Sequence, residues 1–193
     1  VLLNKKKLLT EYALKDFETL IRELYTQKKQ GLIKEFEGEF RGFVWNKKEG
    51  KLYVFTNPTS TQRVFYSKFK NEIFIDTSLV RLNKTLLSSG ITTTPNLESI
   101  YQLLCFSNLP ERKTPIENIA KLLDGHYLEV DSSDLSYNEK EYFDISESPV
   151  FKGTKAAAVD QIHEIFAQSV IMEYQKDTEL GKNHLALLSG GLD

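Results

Sequence analysis

The sequence predicts an α+β fold of antiparallel strands and helices, followed by the helix and strand that open a second unit. Three observations carry this. A stripe of apolar residues at helical spacing comes first. Two β-rich pairs of segments follow, each pair closing on a short polar turn. A long helical pattern, a polar loop and an apolar run then end the chain.

Residues 8–29 place Leu9, Tyr12, Leu14, Phe17, Leu20, Ile21, Leu24 and Tyr25 at helical intervals. They predict a helix from Asp16 to Lys29, with Gly31 beyond its end, and then a short helical turn over Leu32–Phe36. The period changes at Phe40. Phe40–Trp45 and Lys51–Thr56 are β-rich, and the polar stretch from Asn46 to Gly50 joins them as a hairpin. Val64–Phe69 and Glu72–Asp76 form a second hairpin turning near Lys70 and Asn71, so the middle of the chain reads as a meander of antiparallel strands. Residues 77–89 are helical. Pro95-Asn96-Leu97 opens another helix to about Cys105, with Ile100, Tyr101, Leu104 and Cys105 on its apolar face. Gly125–Val130 and Lys140–Asp144 read as strands. Ser146–Pro149 is a polar break and a candidate boundary. Thr154 can cap a helix to about Tyr174. A polar loop, Gln175 to Asn183, leads to the strand His184–Leu188.

Composition narrows the function. The chain has 193 residues, 40% apolar and 27% charged, with 12 Phe and 9 Tyr to build a core. Lys and Arg number 25 against 27 Asp and Glu, so the charge of −2 gives no support to nucleic-acid or membrane-surface binding. No apolar stretch approaches the roughly 20 residues of a membrane span. Lys5-Lys6-Lys7 follows only three apolar residues, which is not a signal peptide, and reads as solvated. The single cysteine, Cys105, excludes an internal disulfide and points to a reducing, cytoplasmic setting. It sits in an apolar helical pattern and reads as core. His163-Glu164 lacks the second His of a zinc helix and reads as a solvated face. His126 reads as structural, and His184 begins the last strand.

Ser189-Gly190-Gly191-Leu192-Asp193 carries the chemistry. Glycines let the backbone turn tightly beside a ligand, and successive N–H groups can then ring an anion. Ser189 can donate its hydroxyl to a phosphate oxygen, and Asp193 can hold a metal ion. Ser-Gly-Gly is equally a common turn, and the preceding helix, loop and apolar strand favour the phosphate reading.

In that context the five residues resemble the start of the Ser-Gly-Gly-x-Asp-Ser loop of the ATP pyrophosphatases, in the form found in the asparagine synthetase family. Phe36 to Asn46 resembles that family's Leu-x-Gly-x-Phe-Ala-Phe-x-x-x-Asp segment. Val64-Phe65-Tyr66 with Phe74 resembles its Pro-Leu-Tyr-Tyr and Phe-Ala-Ser-Glu pair. Ile119 to Leu128 is similar to Ile-x-x-Leu-Pro-Pro-Gly-His-x-Leu, and Tyr142-Phe143-Asp144 to Tyr-Trp-Asp. The pieces run in the family's order over nearly the whole chain.

The resemblance implies an αββα sandwich of the Ntn glutamine amidotransferase type over residues 1–145. The first helix and strand of an α/β adenine-nucleotide α-hydrolase-like domain follow over 151–193. It implies a ligase that hydrolyses glutamine, activates an aspartate-like carboxylate with ATP and Mg²⁺, and joins ammonia to it. Ser189, Gly190, Gly191 and Asp193 would bind the ATP pyrophosphate, with Asp193 on Mg²⁺. Asp16, near the family's Ser-Asp-x-Glu element, would hold the glutamine amino group. A homodimer is the assembly it leaves open. The chain departs from the pattern in three places. No catalytic residue is assigned, because the nucleophilic N-terminal Cys and the strands that carry it have no counterpart. Asn4 falls where an Asn-Gly-x-x-Tyr-Asn segment would end, without the Asn-Gly pair. Thr56-Asn57-Pro58-Thr59-Ser60 replaces the charged Arg-Asp-Arg-x-Gly turn. The expectation is a stretch cut from a longer protein, inactive alone. Two alternatives stay open. One is a member that has lost glutamine hydrolysis and activates another carboxylate, in peptide or lactam ring closure or surface-polysaccharide modification. The other is a non-catalytic module.

Overall fold

The structure, a computed structural model, describes residues 2–183. A short helix α1, Lys5–Glu11, comes first. The sequence did not announce it, because its three lysines surround one buried residue, Leu8. Helix α2 follows at Phe17–Lys28. The Asp16 carboxylate caps it by accepting from the Thr19 N–H at 2.8 Å, which satisfies a donor the first turn leaves unpaired. Leu20 and Leu24, one turn apart, are fully buried, and each contributes about 2 kcal/mol of hydrophobic stabilisation. The chain then tightens into a 3₁₀ helix over Lys29–Glu35.

Both hairpins stand where the two-residue period placed them. β1 (Arg41–Asn46) pairs antiparallel with β2 (Lys51–Thr56), and β3 (Phe65–Phe69) with β4 (Glu72–Asp76). They do not continue as one meander. β2 also pairs with β6 (His126–Asp131), which pairs with β7 (Tyr137–Glu141), giving the order β1-β2-β6-β7. β3 pairs instead with the two-residue β5 (Ala120–Lys121), giving β4-β3-β5. The reason lies in β2, where Tyr53 and Phe55 on one face and Val54 on the other are all buried. Such a strand needs a packed layer on each side, which a single meander with one wet face cannot give. β7 begins three residues before the predicted strand. Its sequence, Tyr-Asn-Glu-Lys-Glu, is a polar edge with no apolar alternation to read.

Three clusters define four layers. Leu8, Leu20 and Leu24 pack on Phe40, Tyr53, Phe55 and Tyr127. Val54, Leu128 and Val130 meet Val64, Tyr66 and Leu122 between the sheets. Phe65 and Ile119 pack on Leu82 and Leu86 of α3 (Leu79–Ser88). The order is helix, sheet, sheet, helix, an αββα sandwich.

Two helices stand apart from it. α4 (Leu97–Phe106) buries only Ser99. Cys105, read from the sequence as core, is exposed, as are Tyr101 and Leu104. Helical spacing shows that a stripe exists, not that anything packs on it. α5 (Lys155–Glu179) runs past Tyr174, where the sequence suggested it would stop. Its polar last turn is held by Lys176, and Lys6 reaches Glu179 at 3.0 Å. His163 and Glu164 are exposed, as expected. The strand predicted at His184–Leu188 lies outside the described residues.

Candidate functional site

β1 ends one sheet and β4 ends the other, and among the described residues neither outer edge has a strand partner. A cavity of about 590 Å³ opens between them, lined by Phe43 and Trp45 of β1, Val54, Val64, Ile75 and Arg81. On the α2 side of β1 lies a second cavity of about 360 Å³. Phe17, Ile21, Phe36, Val44 and Phe55 supply its apolar lining, and Glu39, Arg41 and Gln62 its polar groups. Arg41 touches both cavities and donates to the Arg63 carbonyl at 3.4 Å. Nothing in the sequence singles out Arg41, although it lies inside the motif-like stretch 36–46.

The charged groups here are already engaged. Arg81 Nε donates to Asp76 Oδ2 at 2.7 Å, and the Ser78 N–H to Asp76 Oδ1 at 2.8 Å. The guanidinium hydrogen bond holds the Asp76 carboxyl below the usual carboxylate range. Asp76 is thus a fixed anion at the start of α3 rather than a base awaiting a proton.

Between β2 and β3 the chain turns through a neutral knot of side chains bonded to one another, in which the buried Ser60 Oγ has no partner among the described residues. Asn57 Nδ2 donates to Thr59 Oγ1 and to Thr61 Oγ1, both at 3.0 Å, and Asn57 Oδ1 accepts from the Gln62 N–H at 3.3 Å. Thr56 Oγ1 donates to the Gln62 carbonyl at 2.5 Å, and Tyr142 Oη to the Thr56 carbonyl at 2.6 Å. Burial pushes the Tyr142 phenol up, so it remains a donor. Thr56, Asn57 and Ser60 are all buried.

Asp16, the predicted glutamine contact, is exposed at the start of α2. Hydrogen bonding from Thr19 holds its carboxyl below the usual range. The next residue, Phe17, lines the smaller cavity. Ser189, Gly190, Gly191 and Asp193 lie outside the described residues. Among the described residues no group of three or more His, Cys, Asp or Glu side chains gathers to hold a metal ion, and no helix is long and apolar enough to cross a membrane. His126 Nδ1 lies 2.7 Å from the Asp124 carbonyl.

Fold and site together define a four-layer αββα domain whose open face is the edge of β1, flanked by two cavities. The model of the glutamine amidotransferase domain matches residues 5–143, and the chain belongs to that family. It is also 22% identical over 179 residues to the glutamine-hydrolyzing asparagine synthetase 1 of Bacillus subtilis (strain 168). To asparagine synthetase 2 of the same organism, also glutamine-hydrolyzing, it is 24% identical over 189 residues. Each alignment covers 92% of this chain but only 26% and 24% of the relatives, so the chain spans about a quarter of their length.

Proposed function

We propose that the intact protein is a glutamine- and ATP-dependent amide-forming ligase of the asparagine synthetase type. One observation carries the reading: an alignment over 92% of the chain must run past residue 143, through α5 and toward Ser189–Asp193. The likeness therefore reaches past the matched amidotransferase domain, which supports reading the remainder of the chain as the start of a further unit. In this reading Ser189, Gly190 and Gly191 cradle the pyrophosphate of ATP, and Asp193 holds Mg²⁺. Bound ATP supplies the adenylyl group that makes a carboxylate oxygen, on an aspartate-like acid, part of a good leaving group. Asp16 accepts from the α-ammonium of glutamine.

The test is aspartate-dependent exchange of pyrophosphate into ATP by the full-length protein, with glutamate and an amide as products when glutamine is added. Failure to cleave ATP with any carboxylate sinks the reading. Asp16 is tested by two substitutions. Asp16→Asn keeps the cap acceptor, so the melting temperature holds while KM for glutamine rises about tenfold or more. Asp16→Ala lowers the melting temperature as well.

The neutral knot at residues 56–62 favours a second reading, in which amide formation runs on free ammonia. The Asn57 side-chain amide is engaged within the turn, and no side chain from 56 to 62 carries a positive charge for a substrate carboxylate. Amide formation with ammonium chloride, but no glutamate from glutamine, would select it.

A further inference from the structure

The cavity of about 590 Å³ between the two sheets has no part in the reading above. Strand register decides what faces it. Phe43 stands opposite Val54 and Trp45 opposite Leu52, and directly opposed residues of an antiparallel pair share a face. Val54 and Leu52 belong to the cluster between the sheets, so Phe43 and Trp45 turn the same way. Ile75 of β4 and Val64, which leads into β3, come from the other sheet. The walls are therefore aromatic on one side and branched aliphatic on the other.

Arg41 is on the same face as Phe43, opposite Thr56, and also lines the cavity. Its one hydrogen bond among the described residues is that to the Arg63 carbonyl, and no carboxylate there pairs with it. The other charges on the wall neutralise each other. Arg81 Nε donates to Asp76 Oδ1 at 3.0 Å and to Oδ2 at 2.7 Å, and Arg81 Nη2 to Thr77 Oγ1 at 3.1 Å. Lys47 Nζ, 5.9 Å from the centre of the Trp45 ring, adds positive charge near the aromatic wall. An apolar cleft thus ends in an unpaired guanidinium, on a protein whose net charge is −2.

We propose that this cavity binds an apolar monocarboxylate of the fatty-acid class, its chain between the sheets and its carboxylate on the Arg41 guanidinium. The volume is that of a small-molecule site. Each methylene removed from water strengthens binding, and a planar guanidinium can hold a carboxylate through two parallel hydrogen bonds. A free phosphate would leave the apolar walls wet, and a neutral hydrocarbon would leave the guanidinium unpaired. Neither Asp16 nor Ser189–Asp193 enters this proposal, so it and the ligase reading can fail separately.

The test is calorimetric titration of the full-length protein with decanoate and with decyltrimethylammonium, which carries the same chain on a cationic head. Circular dichroism fixes the range in which neither unfolds the protein. Decanoate binds saturably and at least about fivefold more tightly than the cation, against the sign of the net charge. Arg41→Glu, at an exposed position, weakens decanoate at least about fivefold and strengthens the cation. Trp45→Ala, where the side chain is 56% exposed, weakens both about threefold or more. No saturable heat by about 10 mM decanoate overturns the proposal, as when a segment of the full-length chain fills the cavity itself. A head-group preference unchanged in Arg41→Glu overturns it too. So do affinities unchanged in Trp45→Ala, which place the chain on the bare faces of α4 or α5.

Discussion

Glu139 belongs to an edge strand, yet its side chain is only 5% exposed. Its carboxylate accepts from Arg112 Nε at 2.6 Å, the Leu123 N–H at 2.7 Å and Tyr66 Oη at 3.0 Å. Tyr66 lies on β3 and Glu139 on β7, so one anion joins the two sheets. Burial first, and then the neighbouring carboxylate, push the Tyr66 phenol up, which keeps it protonated as a donor. Glu139→Gln turns one acceptor into a donor facing Arg112, and should cost about 3 kcal/mol in urea unfolding. Other carboxylates set the acid limit. Asp131 accepts from Lys51 Nζ at 2.7 Å and from the Ser133 N–H at 2.9 Å, and the Lys51 hydrogen bond is the main cause of its lowered pKa. A folded pKa below the unfolded one means stability that is present at neutral pH and lost as acid protonates the group. Asp76, Asp134 and Asp144 shift the same way. The melting temperature should therefore fall below about pH 4, and less steeply in Asp131→Asn.

The turn into β6 shows what an element asks of one residue. Gly125 has a φ of +66°, and a Cβ there would collide with the Phe143 carbonyl oxygen. Its own carbonyl accepts from the Tyr142 and Phe143 N–H groups at 2.8 and 3.1 Å, closing β7 back onto β6. Gly125→Ala should cost about 3 kcal/mol by chemical denaturation, because both the backbone conformation and the contact must give. This glycine was visible in the sequence within its Gly-His-Tyr-Leu motif, as were the start of α2 at Asp16 and both hairpins. All are decided by a few adjacent residues. The split of the hairpins into two sheets was not, since pairing β2 with β6 joins Leu52 to Val130, far apart in the sequence. β5 is two residues long and carries no period at all. The site divided along the same line. Asp16 and the altered turn at Asn57 were legible as motifs. The cavities beside β1 arise where segments distant in sequence meet, and Arg41 took on meaning only there.

Exposed surface is the property of the whole molecule that most needs explaining. The chain exposes 13592 Å², whereas a compact monomer of 22.2 kDa exposes about 9,400 Å². α4, nearly all of α5 and the β1 edge contribute to the excess, and the apolar residues they show are large. Phe43 is 70% exposed, Tyr101 70% and Phe166 67%. Edge strands in soluble proteins are ordinarily blunted by charge, proline or a bulge. β1 has none of these at its centre, where Phe43, Val44 and Trp45 stand in a row on an edge that has no strand partner among the described residues. Such an edge can recruit another strand, so the isolated 193-residue chain should self-associate at micromolar concentration. Phe43→Lys tests the cause. It places a charge on the open edge without emptying the core, so stability should change by no more than about 0.5 kcal/mol. Light scattering after size exclusion should show a larger monomer fraction. An unchanged distribution would move the association away from β1 and onto the bare faces of α4 and α5.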